Sequence, residues 1–281
     1  MDMKLWNKKK DDSGVPPERD WFSLFSMIVA FLVILFIGSA ILAILFGGMQ
    51  NFHQTIQSRE ILFALRLSLL TSSISTVLVM LFALPTAYAL TRTRMPGKHI
   101  WELLIELTLS LPYLLLGLSL LILFSSPFGK WLKSIGFQVV FAPAGIVMAH
   151  LLINLPYAVR MIKTAFAGSD ERLEYIARTL GASRFRAFLT VLLPMCRSSL
   201  ISTFILTWSR AMGEFGGTLM LVGITRMKTE TLPGSIYLSI STGNTTTAMA
   251  TAMLMLILSG AAMFLSHLAE KADKTCERKV S

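Results

Sequence analysis

Arg210 and Glu214 stand four residues apart within an apolar stretch, where charge is costly and serves a partner or a pathway. At helical spacing they share a face and can pair. The pair then fastens one helix to its neighbours. Alternatively, Arg210 attracts an anion in a pathway, although Glu214 would repel it. Gly213, Gly216 and Gly217 lie beside them and allow close helix approach or a break in the helix. Glu102 and Glu106 repeat the four-residue spacing. Paired carboxylates suit a proton relay, but at the start of a segment they also suit the helix dipole, or pairing with Arg92, Arg94 or Lys98. Arg66 opens another apolar segment, where it snorkels to the surface or steers an anion inward. His150 and Asn154 are again four apart, and a lone histidine there reads more readily as hydrogen-bonded structure than as a ligand.

Other chemistries lack their residues. No nucleophile–base set and no metal-ligand cluster is visible, and His53, His99 and His267 are scattered. Cys196 and Cys276 make neither a disulfide framework nor a metal site. The phosphate cradle Gly-x-x-x-x-Gly-Lys-Ser/Thr is missing; Phe128-Gly129-Lys130-Trp131 has no hydroxyl after the lysine. The chain is expected to be non-catalytic and to bind no metal or cofactor itself.

The elements that position these residues are set by composition. Of 281 residues, 54% are hydrophobic and 15% charged. That excludes a disordered chain and departs from the roughly 25% charge of soluble domains. Six segments read as spans: Trp21 to Phe46, Ile61 to about Leu90, about Ile100 to Phe124, Ala142 to Met161, Leu200 to Val222 and Thr247 to Leu268. Each is long enough to cross a core of about 30 Å as a helix. The runs are continuously apolar, which excludes a barrel. The first run is too long for a signal peptide and is expected to be retained. Pro85, Pro112 and Pro156 fall within spans and should kink them, and Pro112 is a candidate for shaping a constriction. The class is an all-α integral membrane protein. Residues 1–20 form an arm, 21–268 the six-helix domain and 269–281 a tail.

Lysine and arginine set the orientation. The arm has Lys4, Lys8, Lys9, Lys10 and Arg19; the second loop Arg92, Arg94 and Lys98; the fourth loop Arg160, Lys163, Arg172, Arg178, Arg184, Arg186 and Arg197; the tail Lys271, Lys274, Arg278 and Lys279. The opposite loops hold only Arg59, Lys130, Lys133, Arg226 and Lys228. By the positive-inside rule both termini are cytoplasmic, in an inner or plasma membrane. The net charge of +10 tracks topology and so argues against nucleic acid as a partner.

The fourth loop, 163–199, is longer than the others and reads as helix, glycine turn, helix. Ser169 can cap the first helix, with Asp170, Glu171 and Glu174 in its opening turns. Leu173, Ile176, Ala177 and Leu180 follow at helical spacing, and Gly181 is the stop or a turn with positive φ. A second helix, about Arg184 to Leu193, ends at Pro194. Such a segment lies on the bilayer or serves as a platform for a soluble partner.

Glu174-Tyr175-Ile176-Ala177-Arg178-Thr179-Leu180-Gly181-Ala182-Ser183, closed by Leu193-Pro194, resembles the EAA loop of ABC importer permeases. The family pattern is Glu-Ala-Ala, three residues, glycine and a later hydrophobic-Leu-Pro; Tyr175 and Ile176 depart from it. Arg210-Ala211-Met212-Gly213-Glu214-Phe215-Gly216-Gly217 looks like the Arg-Ala-x-Gly-Glu-Phe-Gly-Ala segment of oxyanion permeases. Thr229-Glu230-Thr231-Leu232-Pro233 before Ile236-Tyr237 is similar to molybdate and tungstate permeases, while sulfate permeases share mainly the Gly-Glu-Phe-Gly part.

The resemblance implies a type I ABC importer permease fold and a passive pathway for an oxyanion, molybdate or tungstate first and sulfate second. It implies a homodimer, two cytoplasmic ATPase subunits that bind ATP and Mg, and an external oxyanion-binding protein. Glu174, Ala177, Leu180, Gly181 and Pro194 then belong to the ATPase-coupling segment: Glu174 by charge recognition, Ala177 by close packing and Gly181 by a sharp turn. Arg210, Glu214, Gly216, Gly217 and Pro112 are pathway or gate candidates. Lys228 and Glu230, in an external loop read as Thr225 to Thr247, are candidates for docking the binding protein. A secondary transporter is the alternative, but it leaves the helix–glycine–helix loop unexplained, and inverted repeats are not apparent.

Overall fold

The computed structural model describes the backbone of residues 21–280 and the side chains of 21–265. The arm, the tail side chains, His267 and Cys276 lie outside these. Among the described residues every regular element is helical.

The first unit ends at Phe46 and is one apolar helix, α1 (Trp21–Met49), which runs on into the second unit. After the short α2 (Phe52–Gln57) comes α3 (Arg59–Arg92), one helix of 34 residues. Ser58 caps it by accepting from the Ile61 N–H at 3.2 Å, and Glu60 sits in the first turn beside the positive end of the dipole. Its partner is α7 (Pro143–Ala167), which has proline in its first turn and Gly168 after its last. Pro85 and Pro156 interrupt neither helix.

Burial follows the seam between these two helices. Ser68, Ser72, Ser75, Thr76, Val79, Ala83 and Ala87 form one stripe of α3. Ala149, His150, Ile153, Asn154 and Ala158 form the facing stripe of α7. In a bilayer there is little hydrophobic drive between helices, so small and hydroxyl side chains allow the backbones to approach. Toward one end the seam becomes apolar, with Leu90, Val159, Ile162 and Phe166 packed on Leu192 and Cys196.

Two expected spans are broken. The third is α4 (Lys98–Ser110) and α5 (Tyr113–Ser125), bent by 112° at Leu111-Pro112. Pro112 directs Leu111 into extended backbone, so the helix stops rather than kinks. A short helix, α6 (Pro127–Ser134), follows. The fifth is α11 (Arg197–Met212), interrupted over Gly213–Phe215 and resumed as α12 (Gly216–Val222).

Between α7 and α11 lie α8 (Glu171–Thr179), α9 (Arg184–Ala187), a π-helical turn at Phe188–Leu192 and α10 (Leu193–Met195). Pro194 therefore does not end the second helix. Its ring would clash with the carbonyl four residues earlier, and the widened turn just before it relieves that clash. The break comes at Cys196, where the axis bends by 78° into α11. The stretch read as an external polar loop contains α13 (Leu232–Ser241), and the last helix, α14 (Thr245–Val280), continues past Leu268.

Four helices are long and apolar enough to cross a membrane, or six if each bent pair counts as one span. The chain is a multi-pass membrane protein.

Candidate functional site

The loop after α7 is built around one arginine. Arg92, in the last turn of α3, donates from Nε to Glu174 Oε1 at 2.8 Å. Its Nη2 reaches the Phe166 carbonyl at 2.9 Å, the Ser169 carbonyl at 3.2 Å and Ser169 Oγ at 2.8 Å. Both members of the ion pair are only 8% exposed. One guanidinium therefore ties together the end of α3, the end of α7 and the middle of α8. Glu174, expected to present its charge outward, is turned inward and held. Asp170, not Ser169, caps α8, accepting from the Arg172 N–H at 2.9 Å, because the Ser169 hydroxyl is used by Arg92 and Phe166. Gly181 has φ of +93°, the left-handed turn that its position called for.

The outer face of this segment carries exposed apolar side chains among charged ones. Tyr175, Ile176, Leu180 and Phe185 are exposed, Leu180 at 83%. Ala177 is half-buried beside them. A patch of this kind on a folded loop marks an interaction surface.

A second centre forms where the two broken spans meet. Gly117 of α5 and Gly217 of α12 are in backbone contact: a Cβ on Gly117 would lie 2.6 Å from Gly217 Cα and closer still to its carbonyl oxygen. Gly216 packs near Tyr113 and Leu114, just past Pro112. Pro112, Arg210, Glu214, Gly216 and Gly217 are thus brought together at the two breaks.

The expected Arg210–Glu214 pair is not formed. Four-residue pairing needs an unbroken helix, and α11 ends at Met212. Glu214 folds back as a cap for α12. Its Oε1 accepts from the Gly217 N–H at 2.7 Å, and its Oε2 accepts from the Thr218 N–H at 3.1 Å and from the Thr218 hydroxyl. Arg210 instead donates from Nη2 to Tyr113 Oη at 2.5 Å, with its guanidinium 4.4 Å from the centre of the Tyr157 ring. Its Nε is buried without a partner. The sequence reading missed both tyrosines, which lie 97 and 53 positions from the arginine.

Around this centre the polar residues of the seam are only partly hydrogen-bonded, with Thr76 Oγ1, His150 Nε2 and Asn154 Oδ1 buried without a partner. His150 Nδ1 lies 3.3 Å from Ser75 Oγ, and Asn154 Nδ2 donates to the His150 carbonyl at 3.0 Å. Glu102 pairs with Lys163 of α7 at 2.6 Å, not with the basic residues next to it in sequence. Arg66 is exposed.

The docking candidates separate. Lys228 is exposed, but Glu230 is 2% exposed and accepts from the Met227 N–H at 3.4 Å. Burial raises its carboxyl above the usual range. It stands beside the start of α13, where the Leu232 N–H donates to Ser68 Oγ at 2.8 Å. Glu230 therefore belongs to the packing of α13 and presents no surface.

This arrangement of long, broken and connecting helices is the type I fold of ABC importer permeases. The chain superposes on a chain of the bacterial alginate ABC transporter, crystallised with its alginate pentasaccharide-bound periplasmic protein, with a TM-score of 0.70 over 95% of this chain and 96% of that one. At 15% identity the likeness is one of fold. Residues 80–273 match the family described as the binding-protein-dependent transport system inner membrane component, and the chain belongs to that family. It is 35% identical over 168 residues to the molybdate/tungstate transport system permease protein WtpB of Thermococcus kodakarensis, a match covering 60% of this chain and 64% of that protein. It is 28% identical over 206 residues to the sulfate transport system permease protein CysT of Escherichia coli, covering 73% and 74%.

Proposed function

We propose that this chain is the membrane subunit of an ATP-driven importer for a tetrahedral oxyanion, molybdate or tungstate, delivered by an external binding protein. Two copies form the pathway. Two cytoplasmic ATPase subunits bind ATP and Mg and carry out hydrolysis, and both termini of this chain face them. The permease itself catalyses no reaction.

The observation that carries this reading is the Arg92 node beneath a helix that exposes apolar side chains. Tyr175, Ile176 and Leu180 suit a hydrophobic cleft on an ATPase subunit, and Gly181 turns the chain away from it. Closure of the two ATPases would then draw two α8 segments together. Because Arg92 fastens α8 to α3 and α7, that movement is passed to the spans as a rigid displacement rather than lost in a soft loop. A secondary transporter has no use for such a node.

The substrate class rests on the similarity to WtpB. Sulfate is the second reading, supported by the similarity to CysT. The test is reconstitution in vesicles with the cognate binding protein and ATPase. ATP hydrolysis is expected to rise several-fold with binding protein charged with molybdate or tungstate, and less with sulfate. Equal stimulation by uncharged binding protein would refute the substrate reading.

A further inference from the structure

A cleft of about 740 Å³ opens between α7 and the start of α11. Its walls carry hydroxyls from Thr164, Ser169, Ser198, Ser199, Ser202 and Thr203. At one end lie Gly168, Asp170 and Met195; at the other lie Met161 of α7 and Leu206 of α11. One helical turn beyond that second end stand Tyr157 on α7 and Arg210 on α11, since residues four apart are neighbours on a helix face.

We infer that Arg210, held by Tyr113 and Tyr157 one helical turn beyond this cleft, is a transfer site for the tetrahedral dianion. The inference rests on the importer reading above and assigns it a site. An arginine within a membrane protein is normally paired. Arg210 has no carboxylate partner among the described residues, because both oxygens of Glu214 are used on α12. Its two contacts are a phenol hydroxyl and a ring face. Neither neutralises it, and both fix the plane of the guanidinium. Its Nε is a donor without an acceptor. A planar guanidinium with an unused donor and no carboxylate partner suits a tetrahedral oxyanion.

The hydroxyl walls suit the next step. Thr164 and Thr203 already donate to the carbonyls four residues back, at 3.0 and 2.7 Å, so they offer no firm anion grip. Asp170, at the far end, caps α8 and adds a negative charge there. A dianion thus meets one strong contact and then weak ones, and a conducting pathway needs release as much as capture.

The experiment uses the complete importer in vesicles, with ATP and molybdate-charged binding protein, and scores uptake per assembled complex. R210Q is expected to lose about tenfold or more, the scale of one charge-assisted hydrogen bond. R210K, which keeps the charge without the fork, should retain more uptake than R210Q. Y113F, which removes a single hydroxyl with little risk to folding, should lose uptake several-fold with molybdate and with tungstate. Wild-type uptake in assembled R210Q, or in Y113F, overturns the transfer site. If the wild type takes up neither molybdate, tungstate nor sulfate, the importer reading fails instead.

Discussion

Arg92→Ala should disconnect α8 from the spans and abolish coupled uptake. The side chain makes four hydrogen bonds, one of them the ion pair with Glu174. Removing it strands a carboxylate that is 8% exposed. Breaking a buried pair from one side costs about 3–5 kcal/mol. At the low end of that range, hydrogen exchange of the α8 amides should quicken by roughly two orders of magnitude. Uptake should fall by a similar factor, because an ATPase pulling on α8 would then move only α8. R92K should be intermediate, since an ammonium cannot reach Glu174, Phe166 and Ser169 together. The double variant R92A/E174A should exchange more slowly than R92A alone, because no orphaned charge remains. Wild-type exchange and uptake in R92A would remove the node from the mechanism.

Gly117→Ala should prevent stable folding, and it should do so far more severely than the neighbouring glycine substitutions. The new methyl group would press on the Gly217 backbone at 2.6 Å and less, and no side chain can move aside to admit it. Overpacking costs about 1–3 kcal/mol where neighbours can yield, and more where they cannot. At Gly217 the nearest obstacle is Ile153 Cδ1, also at 2.6 Å, which is the flexible end of a side chain. At Gly216 the nearest atoms are 3.5 Å away, an ordinary contact. The expected order of damage, read by size-exclusion chromatography of detergent extracts, is G117A, then G217A, then G216A. A G216A protein as aggregated as G117A would contradict the packing of α5 on α12.

Local signals were legible in the sequence and long-range ones were not. The spans and the α8–Gly181 turn follow from hydropathy and helical spacing, whereas Pro112, expected to kink a span, ends α4 outright. The Arg210–Glu214 pair was misread because the spacing rule presupposes a continuous helix, while Gly213, Gly216 and Gly217 signalled a break. Both could not hold, and the break prevailed. Glu174 looked like an outward-facing acid because its partner lies 82 residues earlier. Thr229 to Thr231 looked like an exposed loop because polarity was read without burial, yet all three residues are buried. Tyr113 and Tyr157 carried no signal, since an aromatic residue in an apolar segment is ordinary until an arginine is found beside it.

The contact between Gly117 and Gly217 also constrains how the protein is made. The seven residues of α12 rise about 10 Å, a third of the bilayer core, so this piece cannot insert as a span of its own. Its docking surface on α5 was synthesised 100 residues earlier. The helices through α5 are therefore made before α12 exists to dock on them. Only then does the second broken span find its seat. Assembly of this subunit therefore includes a docking step of α12 on α5, with Glu214 capping the backbone of α12 in the seated state.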